Sequence, residues 1–129
     1  MFKPVSMSVE GNGARLLDGA FKVHRKLGPA LLESLYEVCV CHELSKLNVP
    51  FQRQVLLPVK YDEIQIDAEL RLDIVVGNEV IAELKAVETI LPVHEAQLLT
   101  YLKLTRMRLG FLINFNVSLL KNGIKRVVV

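Results

Sequence analysis

The stretch Glu69–Lys85, ELRLDIVVGNEVIAELK, reads as two short strands joined by a turn. Side chains alternate along a strand with a period of two, so Ala68, Leu70, Leu72 and Ile74 fall on an apolar face and Glu69, Arg71, Asp73 and Val75 on the other. In Glu79–Lys85 the same alternation sets Val80, Ala82 and Leu84 against Ile81, Glu83 and Lys85. Gly77-Asn78 between them suits a tight hairpin, because Gly accepts positive φ at the first central position and Asn often does at the second. Asp73, Glu83 and Lys85 therefore meet on one face of a β-ribbon. A Glu-x-Lys triplet alone is common by chance and is ordinarily a solvated strand face. Here it lies in a mostly apolar run, Val80–Ala86, which predicts a central strand, where an unpaired charge is costly.

Outward from this hairpin the chain punctuates itself. Residues 1–13, with Gly11-Asn12-Gly13, lack a sustained period and read as a flexible lead-in, leaving 14–129 as one domain. Leu16, Ala20, Val23 and Leu27 recur at helical spacing over Arg15–Leu27, and Gly28 is placed to end that helix. Pro29 suits the first position of a second helix, which runs to about Leu47 with Leu32, Leu35 and Cys39 on its buried side. Phe51–Val59 is a strand candidate whose Pro58 favours a strand end or a sheet edge. Tyr61, Asp62 and Glu63 turn the chain into the hairpin, so three consecutive strands make an antiparallel meander. From Pro92 a helical pattern returns, with Val93, Ala96, Leu99, Leu102 and Met107 periodic. Leu109–Phe115 is a short apolar run, the signature of a strand buried on both faces. Ile124–Val129 closes the chain as a last short strand after Asn122-Gly123. The order ααβββαβ with a short terminal strand predicts a mixed α/β fold, an α+β mixed sheet with helices packed on it.

A chain of 129 residues that is 51% hydrophobic can bury a core without staples. Its net charge of +2 permits nucleic acid without arguing for it. Cys39 and Cys41 are two apart on a helix and point in different directions, so they read as packing residues rather than a disulfide or a zinc site. No apolar run approaches the roughly 20 residues of a membrane span, and no signal peptide is visible, which makes a cytoplasmic protein the expectation.

The helix–meander–helix–strand order, with an acidic residue on an early helix, Asp on the second strand and Glu-x-Lys on the third, resembles the PD-(D/E)XK nuclease superfamily and its restriction-endonuclease-like core. LGPALLESLYE (residues 27–37), Leu70–Asp73, AELKAVE (82–88) and LPVHEAQLLTYLKLT (91–105) are similar to the small stand-alone GxxExxY proteins, over nearly the whole chain. Glu33 and Tyr36 carry that motif, but its glycine position is Ala30; were the glycine there for close helix packing, the extra methyl would be a small change. Gln97 and Tyr101 are similar to the Gln-x-x-x-Tyr element of RecB-like and lambda-exonuclease-like members, one helical turn apart on one face. His94, three residues earlier, joins them, although a lone His at a helix start is more often a surface residue.

The resemblance implies a nuclease using Mg2+ or Mn2+, hard ions that suit carboxylate oxygens. Asp73 and Glu83 would be direct ligands, the main-chain carbonyl of Leu84 a third, and Glu33 a further one, directly or through water. The catalytic set is then Glu33, Asp73, Glu83, Lys85, Gln97 and Tyr101. Neighbouring carboxylates argue against a neutral Lys85, so it is a positioning charge rather than a base. Arg71, Gln97 and Tyr101 would contact the nucleic acid, expected to be DNA. Two other classes stay open: a non-catalytic nucleic-acid-binding or regulatory module that keeps the nuclease fold, and a self-associating homo-oligomer using Phe51–Val59 or Val127–Val129 as an interface strand.

Overall fold

The turn between Val76 and Glu79 forms as its residues require: Gly77 and Asn78 take φ of 58° and 56°, and the Glu79 N–H donates to the Val76 carbonyl at 3.0 Å. Around it, the computed structural model describes residues 4–129, the side chains of residues 67–69 excepted; the expected faces of Ala68 and Glu69 lie outside the described residues. The elements are α1 (Met7–Leu27), α2 (Glu33–Lys46), β1 (Phe51–Tyr61), β2 (Ile64–Val76), β3 (Val80–Lys85), α3 (Pro92–Thr105), β4 (Leu109–Asn114), a 3-10 turn at Leu120–Gly123 and β5 (Ile124–Val128). The sheet runs β1-β2-β3-β4-β5. β3 and β4 pair in parallel, the other neighbours in this order antiparallel, and α3 is the crossover such a pair needs. The mixed α/β sheet expected from the sequence is the one found, with Pro58 on an edge strand where the register slips between Leu57 and Val59.

Both faces of the sheet are covered. α1 and α2 pack on one, where Leu16, Tyr36, Val40, Ile74, Ala82 and Phe115 are fully buried. α3 packs on the other, over Leu72, Ile81 and Leu112. β4, buried throughout, separates the two cores, as its apolar run predicts.

Several expectations need correction. The lead-in is already helical from Met7: the Ser6 hydroxyl accepts from the Val9 N–H at 3.2 Å, and Asn12 Nδ2 donates to Glu79 Oε2 at 2.6 Å. Gly13, which read as loop, is a close-approach position against Leu109 and Phe111. The second helix starts at Glu33 rather than Pro29, because Gly28 and Ala30 take φ of 70° and 73°, outside the right-handed helical region. Its buried side is Tyr36, Glu37, Val40, Cys41 and Leu44; Leu32 is 76% exposed, Leu35 is exposed and Cys39 half-buried. On α3 the buried residues are Leu98, Tyr101 and Leu102, while Val93 is 64% exposed. That helix is apolar nearly all round, so periodicity could not select a face. Gly110 of β4 selects it, for the Leu98 and Leu102 methyls lie 2.9 and 3.3 Å from where its Cβ would be.

β2 also departs from simple alternation. Leu72 packs under α3 but Ile74 packs under α1 and α2. The face changes at Asp73, opposite Gln54, whose φ is 50°.

Candidate active site

At Asp73 the hairpin opens. β2 and β3 pair at Ile74–Ala82, Val75–Ile81 and Val76–Val80, and the next rung, Asp73 opposite Glu83, is not backbone-paired. Side chains replace the ladder. Glu83 Oε2 accepts the Asp73 N–H at 2.8 Å, and Asp73 Oδ2 accepts the Leu84 N–H at 2.8 Å. From the start of α2, Glu33 Oε2 accepts the Ala86 N–H at 3.0 Å. Asp73 and Glu33 therefore hold the end of β3 through its main-chain donors, and Glu83 reaches back from β3 to hold β2.

Glu33 is delivered by a braced loop. The Tyr36 hydroxyl donates to the Gly28 carbonyl at 2.6 Å and accepts from the Leu31 N–H at 3.2 Å, while its ring stacks on Phe115 at 4.3 Å. Tyr36 thus fixes the turn from which α2 starts. Beyond Lys85, the buried Asn114 side chain holds the chain by donating to the Val87 carbonyl at 2.9 Å and accepting from the Val87 N–H at 3.1 Å. Sequence reasoning missed this amide, which reads there as one polar residue in an apolar strand.

Glu37 was missed too. One turn after Glu33 and 6% exposed, it accepts from Arg53 at 2.9 Å and 3.1 Å on one oxygen and from Gln54 Nε2 at 2.7 Å on the other. Its signal was available, since two acids spaced i, i+4 on a helix repel unless something on that face needs them. Glu33, Glu37, Gln54, Asp73, Leu84 and Ala86 line one cavity of about 510 Å³.

Glu83 is 7% exposed, and burial, then the Asp73 charge, push its carboxyl up to about 8, against the opposing pull of the Asp73 N–H and of Lys85. Burial also raises Asp73, although the Leu84 N–H pulls the other way. Lys85 shares the face; its ammonium closes no ion pair among the described residues but favours the charged form of both acids. From α3 the buried Tyr101 faces the same pair: burial, then the Glu83 and Asp73 charges, raise its phenol, and the Gln97 side chain hydrogen-bonds to it.

Asp73, Glu83, Lys85 and Tyr101 thus come together, with Gln97 joined through Tyr101, while Glu33 shares only the cavity wall with Asp73. Two candidates stand apart. Arg71 is exposed, pairs with Leu56 across the β1–β2 ribbon and makes no hydrogen bond or ion pair among the described residues. His94 Nδ1 accepts the Leu91 N–H at 3.0 Å, a helix-start contact that explains it structurally. A cavity of about 730 Å³ lies elsewhere, between α1 and α2.

Two carboxylates held together in poor solvent need a shared proton or a cation. Among the described residues no three His, Cys, Asp or Glu side chains converge on one point. Asp73 and Glu83 each keep an oxygen clear of the main-chain bonds described, and such a pair suits an ion that retains several waters.

The family described as the PD-(D/E)XK nuclease superfamily matches residues 12–127. No curated protein and no solved structure matches the chain. No helix among the described residues is long and apolar enough to cross a membrane.

Proposed function

We propose that this chain, which belongs to the PD-(D/E)XK nuclease superfamily, hydrolyses phosphodiester bonds of DNA with Mg2+ or Mn2+ and is one of the small GxxExxY proteins within it. The observation that carries this reading is the unpaired rung of the hairpin, where Asp73 and Glu83 face each other beside Lys85, with Asp73 opening on a cavity also lined by Glu33. Asp73 and Glu83 are the residues to hold a divalent cation, with the Leu84 carbonyl and Glu33 completing the set. Such an ion supplies polarisation of a phosphoryl oxygen and a more acidic bound water.

The remaining roles belong to the protein. Lys85, beside the acids, stabilises negative charge that builds on the phosphoryl group. Tyr101 orients Gln97 at the edge of the site, where the amide meets the substrate strand. Glu37, holding Arg53 and Gln54, fixes the wall opposite Asp73. Arg71, outside the cavity, is left a phosphate of the flanking strand.

Purified protein incubated with single- and double-stranded DNA and RNA in Mg2+ or Mn2+ tests this reading. Cleavage of DNA is expected, and Asp73→Asn or Lys85→Ala should lower it by about 100-fold or more with an unchanged circular dichroism spectrum. No cleavage of any substrate by the unsubstituted chain rejects it. A second reading, a non-catalytic nucleic-acid-binding module, is favoured by one observation: the described acids and histidines do not converge in threes. Salt-sensitive DNA retention without turnover, unchanged by Asp73→Asn, would select it.

A further inference from the structure

We propose that two copies of this chain associate reciprocally, the β1–β2 tip of each seating in the groove between α1 and α2 of the other. The inference starts from two surfaces of one molecule that lack a cover. β2 pairs with β3 only from Ile74 to Val76, yet continues with β1 through Val59–Ile66, Lys60–Gln65 and Tyr61–Ile64. The opening of the hairpin at Asp73 thus sends a two-stranded ribbon away from the sheet. An isolated two-stranded ribbon is marginal in water. This one ends with Tyr61 67%, Ile64 63% and Ile66 42% exposed, around the carboxylates of Asp62 and Glu63. Neither acid is ion-paired among the described residues.

The groove has the opposite character. Its floor is Val23, Leu27, Val38 and the half-buried Cys39, in a cavity of about 730 Å³. Its rim carries Lys22, Arg25, Lys26 and Lys46 against a single carboxylate, Glu43. Lys22 and Lys46 already share Glu43, at 3.8 and 3.0 Å, so Arg25 and Lys26 have no carboxylate partner among the described residues. An apolar tip bearing Asp62 and Glu63 against one exposed cation, Lys60, still carries a negative excess that fits an apolar floor rimmed by cations, and complementary charge sets register as well as encounter. A nucleic acid would match the rim but not the floor. Glu33 and Glu37 lie on the side of α2 that faces Gln54 and the catalytic cavity, whereas Cys39 and Lys46 lie toward α1. The groove is therefore not a continuation of the catalytic cavity. Reciprocal docking closes the contact with two-fold symmetry, so the assembly stops at two copies.

Sedimentation velocity of the full chain over a concentration series, with charge-reversed variants at exposed positions, tests the proposal. The unsubstituted chain should form a dimer that weakens with salt. Asp62→Lys with Glu63→Lys, and separately Arg25→Glu with Lys26→Glu, should each weaken it by about tenfold or more. Mixing the two reversed chains should restore a heterodimer, since each tip then meets a groove of opposite sign, and that rescue separates docking from misfolding. A chain monomeric at about 100 μM, a dimer indifferent to both reversals, or reversed chains that stay monomeric when mixed would each overturn it. So would a monomer whose groove instead binds a short DNA duplex, with Arg25→Glu and Lys26→Glu abolishing that binding.

Discussion

Glu83 accepts the main-chain N–H of Asp73 at 2.8 Å, across the rung where the two strands of the hairpin have parted. The bond keeps two acids within each other's field, and burial with the Asp73 charge raises the Glu83 carboxyl from 4.5 to about 8. A carboxyl raised on folding contributes stability that is fully present below its unfolded value and is lost as pH rises through the folded one. Without divalent cation, the melting temperature should therefore carry a downward component between about pH 4.5 and pH 8. Glu83→Gln should flatten that component, and Mg2+ or Mn2+ should raise the melting temperature more at pH 8.5 than at pH 6. Thermal melts at several pH values, with and without cation, make the comparison; a slope unchanged by Glu83→Gln would refute it.

Ala30 stands where the motif has glycine, and its φ of 73° explains the glycine better than helix packing does. A left-handed conformation costs an L-residue about 1–2 kcal/mol, part of which glycine returns through a more flexible unfolded chain. Ala30 is exposed, so its methyl gives up no buried contact. Ala30→Gly should stabilise the protein by about 0.5–1 kcal/mol in urea unfolding, without a change in the slope of the transition.

The element order was legible because strand and helix periods differ and because Gly28, Pro58 and Pro92 punctuate the chain. That Asp73 and Glu83 fall opposite each other was legible because the turn at Gly77-Asn78 fixes the register of the hairpin, although simple alternation fails at Asp73. What stayed hidden depended on contacts between distant segments. Nothing local reveals that Asn12 meets Glu79, so the helical start at Met7 read as loop. The buried faces of α2 and α3 were misjudged because both helices are apolar beyond one stripe, and Tyr36 stacking on Phe115 or Leu98 lying on Gly110 decides the rotation. Glu37 was overlooked because a buried acid announces itself only through its partners Arg53 and Gln54.

Cys39 and Cys41 share α2 but not an environment. Cys41 is 4% exposed, and burial pushes its thiol up to about 11, opposed by the Arg53 charge. Cys39 is half-buried in the α1–α2 groove. The thiolate is the reactive form. A disulfide reagent at pH 8, at a protein concentration low enough to leave the groove uncovered, should therefore modify one thiol of the native chain quickly, assigned to Cys39 by peptide mass, and the second only on unfolding. Equal rates at the two cysteines in the native state would contradict this.

Gly110 links the core to the site without touching it. It lies beneath Leu98 and Leu102 of α3, the helix that also carries Gln97 and Tyr101, and its absent side chain sets how closely that helix approaches β4. Leu98 is fully buried, so it cannot swing away from an added group. Gly110→Val should therefore overpack the interface, costing about 1–3 kcal/mol, and lift α3 with its Gln97–Tyr101 pair from the two acids. Misplacement of about 1 Å far from the chemistry can cost on the order of 100-fold in rate. DNA cleavage should accordingly fall well beyond the loss of folded protein when both are measured at a temperature where the variant stays folded. A variant destabilised as expected but fully active would show that Gln97 and Tyr101 do not act at the site.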